Sequence, residues 1–405
     1  MRHALLAAIL AALPVAALAA EDHSAPAAMS YGERPFYLID RLEDGDLKEK
    51  LLSCAAQTPA KSEFSIGHRG APLQFPEHTV QSNLAAARQG AGILECDVAF
   101  TKDKELVCRH AQNDLHTTTN IAATDLGAKC TTPFTPAAGD TAAAAECRTS
   151  DLTLAEFQTL TPKMDASDKT ATTAEAYLGG VPAFRTTLFA EGAELMTHAQ
   201  SIALFKALGT KFTPELKDPS VTMPFDGFSM DDYATKMIDE YRAAGIPAGD
   251  VFPQSFNLDV IRHWIATEPE FGQQAVFLVE PADDWDAADE STWTNTPAEL
   301  AGMGVRYLAP SINMLVDLDG SGAIVPSAYA LAAKEAGLNL ITWSLERSGP
   351  LANGGGWYFN SVTDAIKSDA AYYTVLDVLA QDVGVVGVFS DWPATVTYYA
   401  NCFGL

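Results

Sequence analysis

Apolar residues in this chain fall into short, nearly continuous runs and rarely alternate with polar ones. EFSIGHRG, GILECDVAF, ELVCRH, KFTPELK, DVFPQSF, QAVFLVE, VRYLAPS, LNLITWS and GVVGVFSD are each of strand length. Runs of this kind are what strands buried on both faces require. Between most of them the spacing becomes helical, as in HTVQSNLAAARQG, SMDDYATKMIDEYRAAG, LDVIRHWIATEP, TPAELAGMG and PSAYALAAKEAG. Several of these segments end on Gly, which closes a helix without steric strain. Strands that alternate with helices pair in parallel.

One junction departs from that rule. The residues between Asp97 and Leu106 are too few for a parallel crossover, which takes about a dozen or more. ECDVAF and ELVCRH are therefore predicted to form a hairpin turning at Thr101 to Lys104. Without ELVCRH eight parallel runs remain, and eight close a barrel. The predicted fold is an α/β TIM (β/α)8 barrel over residues 61–400, with the hairpin as an accessory strand and an inserted cap region at about 111–200, a polar stretch rich in Ala and Thr. Residues 21–60 read as a leader followed by a helix. An open doubly wound sheet ranks second, because no GxGxxG follows the first strand.

Composition narrows the setting. MRHALLAAILAALPVAALAA, residues 1–20, reads as a secretory signal peptide with small residues at Ala17-Leu18-Ala19. A retained anchor would need about 20 unbroken apolar residues, and this run is interrupted at Pro14 and ends at Glu21. No other stretch approaches membrane-spanning length, so the mature chain is expected to be periplasmic or secreted without an integral membrane segment. Lys and Arg number 26 against 52 acids, a formal net charge of −26, which repels nucleic acid and anionic membranes. An anionic small-molecule substrate must then be held by local cations or a metal. The six cysteines suit an oxidising compartment. Cys130 and Cys147 bracket one loop and Cys54 and Cys402 can tie the two ends, whereas Cys96 and Cys108, inside strand-like runs, are expected to be buried thiols.

Candidate chemistry gathers at strand ends. His68 and Arg69 emerge where EFSIGHRG meets its loop, the end at which barrel enzymes carry their active sites. Alone, such a His is more often a satisfied structural hydrogen-bonder. Glu95 and Asp97 lie two apart and so share one face of a strand. Two carboxylates inside a barrel are costly without a cation, which points to a hard divalent metal, the plain alternative being that they sit in solvent above the core. His110 closes ELVCRH. Glu215 and Lys217 repeat the alternate spacing on a later strand, as a third oxygen ligand and a cation for phosphate. Convergence of all of these on one barrel mouth is what innocent explanations of each do not predict.

Taken in order, GHRG, PEHT, GILECDVAFTKDKELVCRH, DLHTTT, PELK, PQSF, ITWS and VFSDWP resemble the glycerophosphodiester phosphodiesterases over roughly residues 63 to 398. The resemblance implies a TIM barrel binding one divalent cation, Ca2+ or Mg2+, through Glu95, Asp97 and Glu215. It further implies His68 and His110 as the acid/base pair, and Arg69 and Lys217 on the phosphoryl oxygens. Trp343 in ITWS is expected to wall the pocket against a glycerol or alcohol moiety, a core role being the alternative. The chain departs from the family pattern at His78, where Asn is usual, and at Ala111, where Asp is usual, with Asp114 able to take that carboxylate's place. The activity implied is hydrolysis of glycerophosphodiesters to glycerol 3-phosphate and an alcohol. Two alternatives are a phospholipase C- or D-like lipid phosphodiesterase, which would need an exposed apolar rim, and an inactive barrel that binds phosphorylated ligands. Asp317 to Gly322 matches the start of an EF-hand loop, but Ala328 stands where the ligating Glu belongs, so turn chemistry is the preferred reading.

Overall fold

The computed structural model describes residues 28–405; the expected signal peptide at 1–20 lies outside the described residues. Nine strands form the main sheet: β1 Ser62–Gly67, β2 Ala91–Phe100, β3 Leu106–Cys108, β4 Lys211–Leu216, β5 Gln254–Ser255, β6 Val276–Val279, β7 Tyr307–Pro310, β8 Asn339–Leu345 and β9 Gly387–Ser390. β1 pairs in parallel with both β2 and β9, so the parallel strands close on themselves and the open sheet is excluded. β3 pairs antiparallel with β2, and the intervening turn closes where expected, with Lys104 N donating to Thr101 O at 2.8 Å.

The period of two along β2 explains how a strand buried throughout can carry chemistry. Leu94, Cys96 and Val98 face the helical layer as part of the large outer core. Ile93 faces inward with Ile66, Val276, Leu278, Ala309, Ile341 and Phe389, a plug of branched and aromatic side chains that fills the barrel. Glu95 and Asp97 stand above that plug on the same inward side, toward the carboxyl ends of the strands.

The long segment after β3 folds around its own small core. Leu115, Ile121, Leu152, Phe157 and Leu160 pack on Ala99 and Val107 of the β2–β3 hairpin. Hydrogen bonds from Lys102 N to Leu152 O (2.8 Å) and from Thr149 Oγ1 to Phe100 O (2.6 Å) fix it there. A small hairpin, Thr132–Thr135 with Ala144–Glu146, is stapled by the disulfide Cys130–Cys147. Asp317 lies in another hairpin, where Asp319 accepts hydrogen bonds from Ser321 N and Ala323 N; this is turn chemistry.

The Cys54–Cys402 bridge joins the helix Asp46–Ser53 to the last helix, Pro393–Phe403. Cys96 and Cys108 are not free thiols. They form a third disulfide, with a Cα–Cα distance of 5.1 Å. Cys108 lies opposite Val98, and Cys96 shares Val98's face, so the two cysteines are diagonal neighbours on one side of the hairpin. Runs read singly conceal this, because the pairing exists only once the hairpin register is set.

The two bridges should separate stability from function. Loop-closure entropy assigns about 6 kcal/mol to Cys54–Cys402 and about 3 kcal/mol to Cys96–Cys108. Urea titration should show the larger loss of midpoint for the Cys54→Ser/Cys402→Ser protein. Removing Cys96 and Cys108, which tie the strand of Glu95 and Asp97 to the strand leading to His110, should instead lower activity in protein that is still folded; the reverse ranking contradicts this assignment.

Candidate active site

Strand register brings the acids together. β2 and β4 pair with Asp97 opposite Glu215, and inward alternation adds Glu95. Oxygens of these three carboxylates lie within 4.8 Å of one another, with all three residues buried. Glu95 is held on both sides: Arg69 N donates to Oε2 at 2.7 Å and Gln254 Nε2 to Oε1 at 2.9 Å. Burial, with Asp97 and Glu215 close by, pushes the Glu95 carboxyl well above the usual carboxylate range. Burial likewise raises Glu215 to about 7, against the pull of Lys217, whose Nζ is 2.5 Å from Oε1. Asp97 goes the other way: burial opposes ionisation, but His78, Lys217 and Arg69 hold it well below the usual range.

A hard divalent cation fits this donor set. The ligands are all oxygen, and Asp97 Oδ1 is buried without a hydrogen-bond partner although its other oxygen accepts from His78 Nε2 at 2.9 Å. Like carboxylates this close cannot all ionise unless something positive lies among them. A second cluster, Glu77, His110 and Asp114, is similarly compact, but its acids are already engaged. Glu77 receives Arg69 Nη1 at 3.2 Å, and Asp114 receives Ala111 N at 3.2 Å and Thr118 Oγ1 at 3.3 Å.

Arg69 is the counter-charge on the protein side. Its guanidinium is buried against Glu77, and its Nε is 3.7 Å from Asp97. The turn that aims it has Arg69 at φ 55° and Gly70 at φ 90°. A Cβ on Gly70 would stand 2.4 Å from Ser82 Oγ, so glycine is required there. Glu77 is set by the buried Arg109, whose Nη2 donates to the Glu77 carbonyl.

Two histidines line the cavity. His68 Nδ1 is 2.5 Å from Asp391 Oδ1, and Arg347 Nη1 donates to the other oxygen of Asp391 at 3.0 Å. Burial would raise Asp391, but Arg347 and His68 hold it below the usual range. The ionised carboxylate therefore fixes the proton of His68 on Nδ1 and leaves Nε2 as a free acceptor. Burial and the adjacent Arg69 lower His68 to about 4. His110 is depressed well below the ordinary histidine range by burial, Arg69 and Lys217; both imidazoles are neutral at pH 7.

The cavity between them has a volume of about 430 Å³ and is lined by His68, Arg69, Glu95, His110, Glu215, Lys217 and Trp343, together with Arg347 and Tyr358. Of the residues to which the sequence assigns catalysis, phosphate binding or metal binding, all line the cavity except Asp97, which clusters with Glu95 and Glu215; His78 and Asp114 do not line it. Trp343 is held by Nε1 donating to Ala309 O at 2.8 Å and packs edge-on to Phe256, so it walls the pocket. In the sequence no site role falls to Arg347, nor to Glu77, Gln254 and Asp391, which stand only within the motifs PEHT, PQSF and VFSDWP. Asp391 and Arg347 follow strand ends and carried that signal. Arg185, half-buried near Arg347, Asp391 and Glu77, comes from the inserted segment, where no spacing announces it.

The sequence model of the glycerophosphoryl diester phosphodiesterase family matches residues 68–395. An "Extracellular protein" of Arthroderma benhamiae is 48% identical over 247 residues, 60% of this chain and 100% of that one. A Haemophilus influenzae glycerophosphodiester phosphodiesterase is 46% identical over 56 residues, 14% of this chain and 15% of that one. Among solved structures, a Silicibacter pomeroyi protein provisionally described as a glycerophosphoryl diester phosphodiesterase superposes with a TM-score of 0.56 at 16% identity, covering 87% of this chain and 98% of that one. At that identity the likeness speaks to the barrel fold.

Replacing Arg69 tests the electrostatic arrangement. Arg69→Leu leaves Glu77, Glu95 and Asp97 buried without their guanidinium and should lower the unfolding free energy of metal-free protein by about 3–5 kcal/mol, read from the urea midpoint. An unchanged midpoint would mean that the acids are compensated elsewhere.

Proposed function

The chain belongs to the glycerophosphoryl diester phosphodiesterase family, and on that premise we propose that it is a secreted or periplasmic, divalent-metal-dependent enzyme that hydrolyses glycerophosphodiesters to glycerol 3-phosphate and an alcohol by histidine acid/base catalysis. The observation that carries this reading is the meeting in one cavity of an oxygen cluster able to hold a hard cation, two neutral histidines and the cations Arg69 and Lys217. The export part of the proposal draws support from three disulfides with no free cysteine among the described residues.

In the proposed mechanism Arg69 and Lys217 bind the phosphoryl oxygens, with Arg347 beside them, and Trp343 and Tyr358 exclude water from one flank. Glu95, Asp97 and Glu215 would hold Ca2+ or Mg2+, which would supply Lewis-acid stabilisation of the negative charge on the phosphoryl group. His68 Nε2 takes the proton of the attacking hydroxyl. Asp391, on Nδ1, stabilises the imidazolium that forms and keeps its tautomer fixed. His110, which also lines the cavity, is the donor to the departing alkoxide. Its proton affinity is set partly by Arg69 and Lys217, the groups a bound phosphodiester would neutralise, so substrate binding favours its protonated form.

Release of glycerol 3-phosphate from glycerophosphocholine by purified protein, chelated and then resupplied with calcium or magnesium, is the direct test. Metal-dependent release that is lost in Glu95→Ala is expected, and His110→Ala should lower kcat by about 100-fold or more while metal binding persists. Tight metal binding without turnover of several headgroups would favour the inactive binding barrel. Asp391→Asn removes only the ionic partner of His68 and Arg347, and should lower kcat by about 100-fold with the urea midpoint of a folded protein; wild-type kcat in that variant would remove Asp391 from the mechanism.

A further inference from the structure

The catalytic cavity adjoins a second one. Phe256, Leu278 and Glu280 line both, and beyond them Trp285, Trp293 and Tyr329 line a space of about 220 Å³. The two tryptophans come from the loop after β6, and both stand edge-on to the buried Tyr329 of the helix Ala328–Glu335, with ring centroids 5.9 and 4.9 Å away. Trp293 Nε1 donates to Asp286 O at 2.9 Å, and Asp286 N donates to Thr292 Oγ1 at 2.9 Å. The loop is thus braced around its two indoles, and the aromatic cavity is preformed.

Charge is divided between the two cavities. Arg69, Lys217 and Arg347 line the catalytic one. Between His263 and Arg306 the chain carries no Lys, Arg or His, while Glu280 to Glu290 hold six acids. Glu280 is the acid of this run that lines both cavities, and it enters no ion pair among the described residues. The cations nearest to it are already taken, Arg69 by Glu77, Lys217 by Glu215 and Arg347 by Asp391. Phe256 stands at the division: Lys217 Nζ is 5.7 Å from its ring centroid, and the same residue lines the aromatic cavity.

We propose that the second cavity is a headgroup subsite that selects a quaternary ammonium on the alcohol half of the diester, with Trp285, Trp293 and Glu280 as its specificity-determining residues. The proposal rests on the phosphodiesterase reading of the neighbouring site. A phosphate held by Arg69 and Lys217 leaves its alcohol to pass Phe256, so that a short amino alcohol carries its positive charge toward the aromatic cavity. Aromatic faces attract a cation, and a quaternary ammonium has no N–H to be left unsatisfied among them. Glu280 adds the opposite full charge. A neutral headgroup gains neither attraction, and an acidic one is repelled by Glu280 and by the acids beyond it. Cations on one side and acids on the other therefore match the dipole of a zwitterionic diester.

The test measures kcat/KM of wild type, Glu280→Gln and Trp293→Leu, each with metal supplied, on glycerophosphocholine and on glycerophosphoglycerol, whose headgroup is neutral. Choline chloride titrated against sodium chloride at equal ionic strength, followed by tryptophan fluorescence, reads the cavity without turnover. Glu280→Gln keeps the size of the side chain and guards against misfolding in Trp293→Leu. Wild type should favour glycerophosphocholine by about tenfold or more, and each variant should bring that ratio down by about tenfold; a merely structural role would lower both substrates together and leave the ratio in place. Choline should bind wild type saturably and both variants more weakly. A wild-type ratio near one, or a ratio that neither variant moves, overturns the headgroup assignment alone and leaves the phosphodiesterase reading standing. Choline binding that is weakened in both variants, in protein that hydrolyses neither diester, upholds the cation cavity and overturns the phosphodiesterase reading.

Discussion

The arrangement at the barrel mouth depends on how negative charge is compensated where water is scarce. Glu77, Glu95, Asp97 and Glu215 are all buried, and carboxylates cannot remain ionised there without positive partners. Arg69 and Lys217 supply part of the compensation, Arg69 by reaching Glu77 and Asp97 and by donating its amide to Glu95, Lys217 by pairing with Glu215. What remains is an unpartnered oxygen on Asp97 and two carboxyls whose proton affinity is raised by burial. A hard divalent ion would complete the balance, and Arg69 and Lys217, which line the cavity, would also face a phosphodiester.

Covalent and backbone geometry serve that balance. The parallel register that sets Asp97 opposite Glu215 is a property of the barrel. The hairpin and its Cys96–Cys108 disulfide carry the chain back from the acids to His110. Asp391, following the last strand, links His68 to Arg347. Arg34, near the start of the described chain, pairs at 2.6 Å with the buried Glu346 next to Arg347. Arg34 thus buttresses the strand end that holds Arg347, a third cation of the mouth beside Arg69 and Lys217.

Much of this was legible in the sequence because it is periodic. Continuous apolar runs separated by helical spacing mark a closed parallel sheet, and the short interval between Asp97 and Leu106 can only be a hairpin. Glu95 and Asp97, or Glu215 and Lys217, share a face because a strand repeats every two residues. Contacts without a period stayed hidden. The Cys96–Cys108 bridge follows from cross-strand register, which a run read by itself does not contain. Arg185 belongs to an irregular segment, placed by contacts of Thr186 with Leu73 and of Phe189 with Phe75. Arg347 lay two residues past a strand in ITWSLER, where its role emerges only once Asp391 is seen beside it.

The central claim is that Glu95, Asp97 and Glu215 form the cation site of this barrel. Anomalous X-ray scattering from a crystal equilibrated with Mn2+, a scatterer that substitutes for hard divalent ions, addresses it directly. One strong peak bonded to oxygens of Glu95, Asp97 and Glu215, and absent from Glu215→Ala crystals, is the expected result. A peak instead among Glu77, His110 and Asp114, or none at the three carboxylates, would contradict the account.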